Sequence, residues 1–305
     1  MQMDFVRPLE GIKIADLSRD VAGSYTCMLL GDMGAEIIKI EPVDGDPTRS
    51  KAAFQLWNRG SRSLAVEFQD HEGHEVLERL VARCDVLVET FLASETLEFA
   101  IDYERLSPLN HSLVYCALPP FGESGPLAHL PADDGVVSAY SGVYGDQGGN
   151  GQPPVYVHLP VVSYGTAFLA AFAVSSALYT REISGNGQKV EVPWYAGITA
   201  MRSGSIITGP NVTHWSRMAS GSLGANPIYR VYRCKDDWIL ISCGNATFWN
   251  KLCIALGLEH LVEDPRFEDA PWNIPLEHRE ALSSMIGDVL VERRRDHWVK
   301  HLSDF

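Results

Sequence analysis

Basic residues are scarce in this chain: 25 Lys and Arg stand against 39 Asp and Glu, a formal net charge of -14. Nucleic-acid binders carry a basic face, so that class is disfavoured. An acidic total still admits an anionic ligand, provided that local Arg, Lys and helix N-termini hold it against the global field. Paired cysteines are also lacking. Cys27, Cys84, Cys116, Cys234, Cys243 and Cys253 form no C-x-x-C motif, and no histidine pair sits at finger spacing. No metal site is expected, and the thiols read as reduced and mostly buried in a cytoplasmic protein. The opening MQMDFVRPLEG has acid and proline where a leader needs a basic patch and an apolar run, so no targeting segment is expected. Val161 to Tyr179 lacks charge and approaches spanning length, but Ser, Thr, Ala and Gly dilute it and Arg181 and Glu182 follow. A central buried helix, not a membrane span, is the reading.

What is present is an alternation of periods. Ile12 to Leu17 is a short apolar run, Ala22 to Met33 has helical spacing closed by Gly34, and Glu36 to Ile40 is strand-like. Such a βαβ unit implies parallel strands with a right-handed crossover. Strand signals recur at Ser63 to Val66, Asp85 to Glu89, Ser112 to Ala117 and Lys189 to Val192. Helical signals recur at His71 to Arg83, Tyr103 to Leu109 and 163–182. A doubly wound α/β domain follows. The Pro- and Gly-rich stretch 119–154 reads as a long functional loop. Beyond about residue 225 a hairpin (Tyr229 to Cys234, Trp238 to Cys243) and helices at Thr247 to Leu256, Glu280 to Val291 and Arg295 to Leu302 suggest a smaller α+β domain. The expected division is 1–199, a linker at 200–224, and 225–305.

The first βα turn, Ser18 to Ser24, offers only Gly23 where a dinucleotide fold wants G-x-G-x-x-G. Glu41 ends the second strand where a ribose-binding acid would sit, but NAD binding is disfavoured without the glycines. Gly23 is open to two roles, phosphate approach or tight helix–strand packing.

Several blocks then carry a resemblance: PLEGIKIADLS, LLGDMGAEIIKIEPVDGDPTR, LWNRGSRSLAVEF, DVLVETF, DYERLSPLNHSLVYCALPPFGESGP, ALYTREISGNGQKVEV and PRFEDAPWNIPLEHRE. In this order they resemble the class III coenzyme A transferases, which include formyl-CoA and carnitine CoA transferases and 2-methylacyl-CoA racemases. The resemblance implies a Rossmann-like large domain, a small α+β domain and an interlocked dimer. Family members run on beyond the position of Phe305, so the C-terminal return segment of the family fold is expected to be missing from this chain, which would be a fragment or depend on a partner. CoA and acyl-CoA enter as substrates, with no permanently bound cofactor.

In that family an aspartate attacks the acyl-CoA thioester, giving a mixed anhydride and then an aspartyl-CoA thioester, which divides one hard transfer into easier steps. Counting back from Ala177-Leu178-Tyr179 and Gly185 to Gln188 places that aspartate at Ser163. A hydroxyl is neutral at pH 7 and forms no anhydride. His158, five residues upstream, reads as a loop histidine rather than its base. The racemase histidine falls on Asp133 and its aspartate on Ser163, which argues against racemisation. The family's CoA-contacting positions map to Val21, Ala22, Arg49, Asn58, Arg59, Arg62, Thr90 and Phe91. Its substrate loop maps to Phe121, Gly122 and Asp134, the last with a capping role equally open. The resemblance thus implies an acyl-CoA-binding protein, a homodimer or a heterodimer with an aspartate-bearing paralogue. An active transferase with relocated chemistry and a non-enzymatic acyl-CoA-binding scaffold are the alternatives.

Overall fold

A computed structural model describes residues 7–67, 70–148, 153–206, 223–271 and 273–305. The chain opens with β1 (Lys13–Asp16), α1 (Val21–Asp32) and β2 (Glu36–Glu41). Gly34 follows α1 at φ 111°, a conformation that glycine enters freely, and lets the chain turn directly into β2. Next come α2 (Phe54–Trp57), β3 (Arg62–Ala65), α3 (His71–Val81), β4 (Val86–Glu89), α4 (Ala93–Glu98), α5 (Tyr103–Leu106) and β5 (Val114–Ala117). The six-stranded sheet runs β3-β2-β1-β4-β5-β6, where β6 is Gln188–Glu191, and every pairing is parallel. Strands β4 and β5 are buried along their whole length, as strands covered on both faces must be.

The stretch 119–154 departs from the loop expected there. It contains α6 (Asp134–Ser141) and α7 (Val143–Gly148). Gly135, Val136, Val137 and Ser138 are poor helix formers, so local propensity gives no warning. Packing of α6 against α8 (Val161–Ser184) and α9 (Trp194–Met201) supplies what propensity does not.

Helix α8 meets the expectation of a central helix. It packs against α1 and α9 and buries Val162, Thr166, Ala170 and Val174. It is the one helix among the described residues long and apolar enough to cross a membrane. Gly185 ends it at φ 75°, and Arg181 binds Asp85 at 2.8 Å beside the start of β4. Close approach of α8 and α9 depends on glycine: a Cβ on Gly197 would lie 2.4 Å from Thr166 Oγ1.

Residues up to 141 and 158–203 form one compact unit; 142–157 and 204–305 form another. Helix α10 (Ser203–Ile206) straddles the boundary at 203/204. Most of the expected linker at 200–224 lies outside the described residues. In the second unit β7 (Gly224–Asn226), β8 (Tyr229–Arg233) and β9 (Trp238–Ser242) form an antiparallel sheet. Ile239 and Ile241 of β9 point into a core shared with α11 (Ala246–Leu256), α12 (Leu276–Leu290) and α13 (Arg295–Ser303), while Trp238 and Leu240 face out. That alternation is the period-2 pattern of a sheet with one wet face. All six cysteines are free and buried.

Candidate active site at the sheet edge and the N-terminus of α8

The carboxyl ends of parallel strands are where an open α/β sheet presents its ligand crevice. Here β1 ends in Asp16 and turns through Ser18, Arg19 and Asp20 into α1, with Val21 and Ala22 buried at the helix start. Asp20 is the N-cap and accepts the Gly23 N–H at 3.1 Å. Burial pushes its carboxyl up to about 6, although part of the residue reaches solvent. Thr90 and Phe91 follow β4, and Thr90 Oγ1 accepts the Arg19 N–H at 3.1 Å. A Cβ on Gly23 would stand 2.1 Å from Ser18 Cβ and 2.9 Å from Thr90 Cγ2, so tight packing accounts for this glycine.

Beneath the turn lies a charge cluster that sequence reasoning missed. Lys39 Nζ sits 3.0 Å from Asp46 and 3.4 Å from Asp16, and donates to Ser18 O (2.6 Å), Ser18 Oγ and Ser24 Oγ (both 3.2 Å). Burial acts to lower the Lys39 pKa, but Asp16 and Asp46 overcome it and hold the ammonium above its ordinary value. The ion is a fixed strut joining β1, β2 and the α1 turn. Its only sequence signal is a lysine set between the isoleucines of β2.

Glu41 is committed as well. It accepts Arg49 Nε and Nη2 at 2.6 Å each, Ser63 Oγ at 2.6 Å and the Asp46 N–H at 2.9 Å. Burial acts upward on this carboxyl, and these donors outweigh it and bring it to about 2. No acceptor is left for a ribose, in agreement with the absent glycine fingerprint. Glu89, at the end of β4, is pushed by burial to about 8, even though the Phe91 N–H donates to it at 2.7 Å.

The expected CoA-contacting residues divide into two groups. Val21, Ala22, Thr90, Phe91 and Arg49 lie at or just beyond strand carboxyl ends. Arg59 binds Asp32, at the far end of α1, roughly 18 Å of helix from the turn. Arg62 binds Glu36, and both residues begin their strands, at the opposite edge of the sheet. Asn58 lies beside Arg59 and donates to Phe54 O at 3.0 Å. These three are not gathered at the crevice.

At α8, Ser163 is 2% exposed, and its N–H donates to Asp134 Oδ2 at 2.7 Å. Asp134 Oδ1 accepts the Ser138 hydroxyl at 3.3 Å. The substrate-loop position Phe121 packs its ring 5.2 Å from Tyr140 and 6.2 Å from Tyr195. Gly122 turns at φ 96°, and the next N–H, of Glu123, is held by Glu191 at 2.8 Å. Among the described residues no His, Cys, Asp and Glu gather as a metal site.

Comparison with known proteins gives a consistent result. CoA-transferase family III matches residues 9–305. Succinyl-CoA:glutarate CoA-transferase of Mus musculus is 28% identical over 310 residues, which cover 97% of this chain and 70% of that protein. Acetyl-CoA:oxalate CoA-transferase of Acetobacter aceti is 30% identical over 309 residues, covering 96% and 77%. A CAIB/BAIF family protein from Brucella suis superposes with a TM-score of 0.79 at 29% identity, covering 97% of this chain and 82% of that one. Rv3272 of Mycobacterium tuberculosis superposes with a TM-score of 0.83 at 25% identity, covering 98% and 82%.

Proposed function

The chain belongs to CoA-transferase family III, and on that premise we propose that it binds acyl-CoA and takes part in CoA transfer between carboxylic acids. Its role is that of a non-catalytic partner to a subunit that supplies the nucleophilic aspartate. The supporting observation is Ser163. Its hydroxymethyl group stands buried at the start of α8, where covalent transfer calls for an ionised carboxyl. A serine acyl ester lacks the activation of an anhydride, so returning CoA thiolate would not be exchanged through it.

The neighbouring acid does not readily replace it. Asp134 has one oxygen on the Ser163 amide and the other on the Ser138 hydroxyl. Leaving that post to attack a thioester would strip the start of α8 of its acceptor. The remaining work of the site is binding. The α1 turn, Thr90 and Phe91 shape the crevice at the carboxyl edge of the sheet, with Arg49 at its rim. Phe121 and Gly122 shape the loop that would face the acyl group.

A second reading is favoured by one distance, the 2.7 Å between Asp134 Oδ2 and Ser163 N. It puts a carboxylate of this same chain beside the nucleophile position, and Asp134 would then carry the acyl group. The isolated chain is incubated with acyl-CoA and hydroxylamine and analysed by mass spectrometry. No modified carboxylate is expected. A hydroxamate on Asp134 would establish the second reading, and one on any other carboxylate would refute both. Failure of the folded protein to bind CoA in calorimetric titration would refute the acyl-CoA role altogether.

A further inference from the structure

In an open parallel sheet the ligand crevice opens where adjacent strands send their chains in opposite directions. That point lies between β1 and β4: the chain leaves β1 for β2 on one side and β4 for β5 on the other. Arg19 spans it. Its backbone N–H is fixed by Thr90 Oγ1 on the β4 side, and its guanidinium carbon lies 4.5 Å from the centre of the Phe91 ring and 5.5 Å from that of Phe99.

This guanidinium differs from those of Arg49, Arg59 and Arg62. Each of the three is paired with a carboxylate. Among the described residues the Arg19 guanidinium has ring contacts but no hydrogen bond or ion pair of its own. Several of the acids around it are occupied. Glu95 accepts the Leu92 N–H, Asp46 holds Lys39 and Thr48, and Asp20 caps α1. Burial lowers the Arg19 pKa, and the attraction of Glu95, Asp46 and Glu67 does not make up the difference. A cation partly withdrawn from water and short of counter-charge is stabilised by an incoming anion. Stacking on Phe91 limits the orientations of the planar fork before the anion arrives, which reduces the entropy lost on binding.

We propose that Arg19 is the anchor for a phosphate of bound CoA, held at the β1–β4 switch point by Phe91 and Thr90. The inference rests on the acyl-CoA-binding reading and assigns its charged contact. Arg19 touches the carrier end of the ligand, not the reacting carbonyl, and is a binding residue.

The test is calorimetric titration of the wild-type chain, Arg19→Ala and Arg19→Lys with CoA, dephospho-CoA, 4′-phosphopantetheine and pantetheine. Arg19→Ala should weaken CoA about 10- to 100-fold, the range of a hydrogen bond to a charged group, and leave pantetheine unchanged. Arg19→Lys should recover only part of the loss, because a point charge does not reproduce the stacked fork. A loss that persists with dephospho-CoA assigns the diphosphate, and a loss that disappears assigns the 3′-phosphate; either supports the inference. Wild-type CoA affinity in Arg19→Ala, or an equal loss for pantetheine, would overturn it. Wild type that binds no CoA would overturn the acyl-CoA reading together with this one. Should Arg19→Ala fail to melt cooperatively, Arg19→Gln serves as the uncharged variant under the same criteria.

Discussion

Asp134 Oδ2 accepts the backbone N–H of Ser163 at 2.7 Å, so a carboxylate from α6 closes the N-terminus of α8. The helix needs such a visitor because its own N-cap, Pro160, has no side-chain acceptor to offer. A negative charge there also meets the positive end of a 24-residue helix.

Removing that visitor should loosen α8. Asp134→Ala leaves a backbone donor without its partner and should cost about 1–3 kcal/mol in urea unfolding. Asp134→Asn keeps an acceptor and should cost less. Equal stability of wild type and Asp134→Ala would mean that water closes the helix just as well.

On the reading proposed above, a carboxyl placed at residue 163 should bring covalent chemistry to this chain. Ser163→Asp, given acyl-CoA and hydroxylamine, should yield a hydroxamate at position 163 that wild type and Ser163→Ala do not. Mass mapping of the tryptic peptide reads the result. Silence in a variant that still binds CoA would locate the missing element elsewhere than at residue 163.

Lys39 should prove indispensable to the fold. Lys39→Met leaves Asp16 and Asp46 buried without a counter-ion and should cost about 3–5 kcal/mol. Chemical denaturation measures it. A cost below about 1 kcal/mol would show that water or a solvent cation enters the cluster.

Glu89 should make stability fall with rising pH. Its carboxyl stays protonated up to about 8 in the fold, whereas the unfolded chain ionises near 4.5. Unfolding therefore releases a proton between those limits. This contribution is full below about pH 4.5 and is lost as pH rises to about 8, at a slope of up to about 1.4 kcal/mol per pH unit. Glu89→Gln should flatten this part of the profile and be the more stable protein at pH 9. Thermal melts from pH 5 to 9 give the comparison, and parallel profiles would mean that Glu89 ionises freely in the fold.

The strand and helix alternation was legible because it depends on local period. The runs around Ile14, Ile38, Leu87 and Tyr115 are apolar enough to be strands in any context, and α1 ends at a glycine. Helix α6 was not legible, since Gly135 and two valines argue against a helix that only packing on α8 and α9 sustains. The assignment of Ser163 rests on counting back from Ala177-Leu178-Tyr179, and the fold adds only that this residue is buried near the start of α8. The pairing of charges could not be found by counting. Arg49 lies eight residues from Glu41 and Arg59 lies 27 from Asp32, and nothing in a one-dimensional pattern states which carboxylate an arginine will meet. The same gap hid Arg19, whose guanidinium lies against Phe91 and has no carboxylate partner among the described residues.

One atom that is absent governs how closely the first helix nestles into the notch between the central strands. Any side chain at Gly23 would collide with Ser18 at 2.1 Å and Thr90 at 2.9 Å. The helix would have to ride outward, carrying its capped tip with it. The width of the cleft is thus written into position 23 as a spacer of zero length, and even a methyl group would reset it.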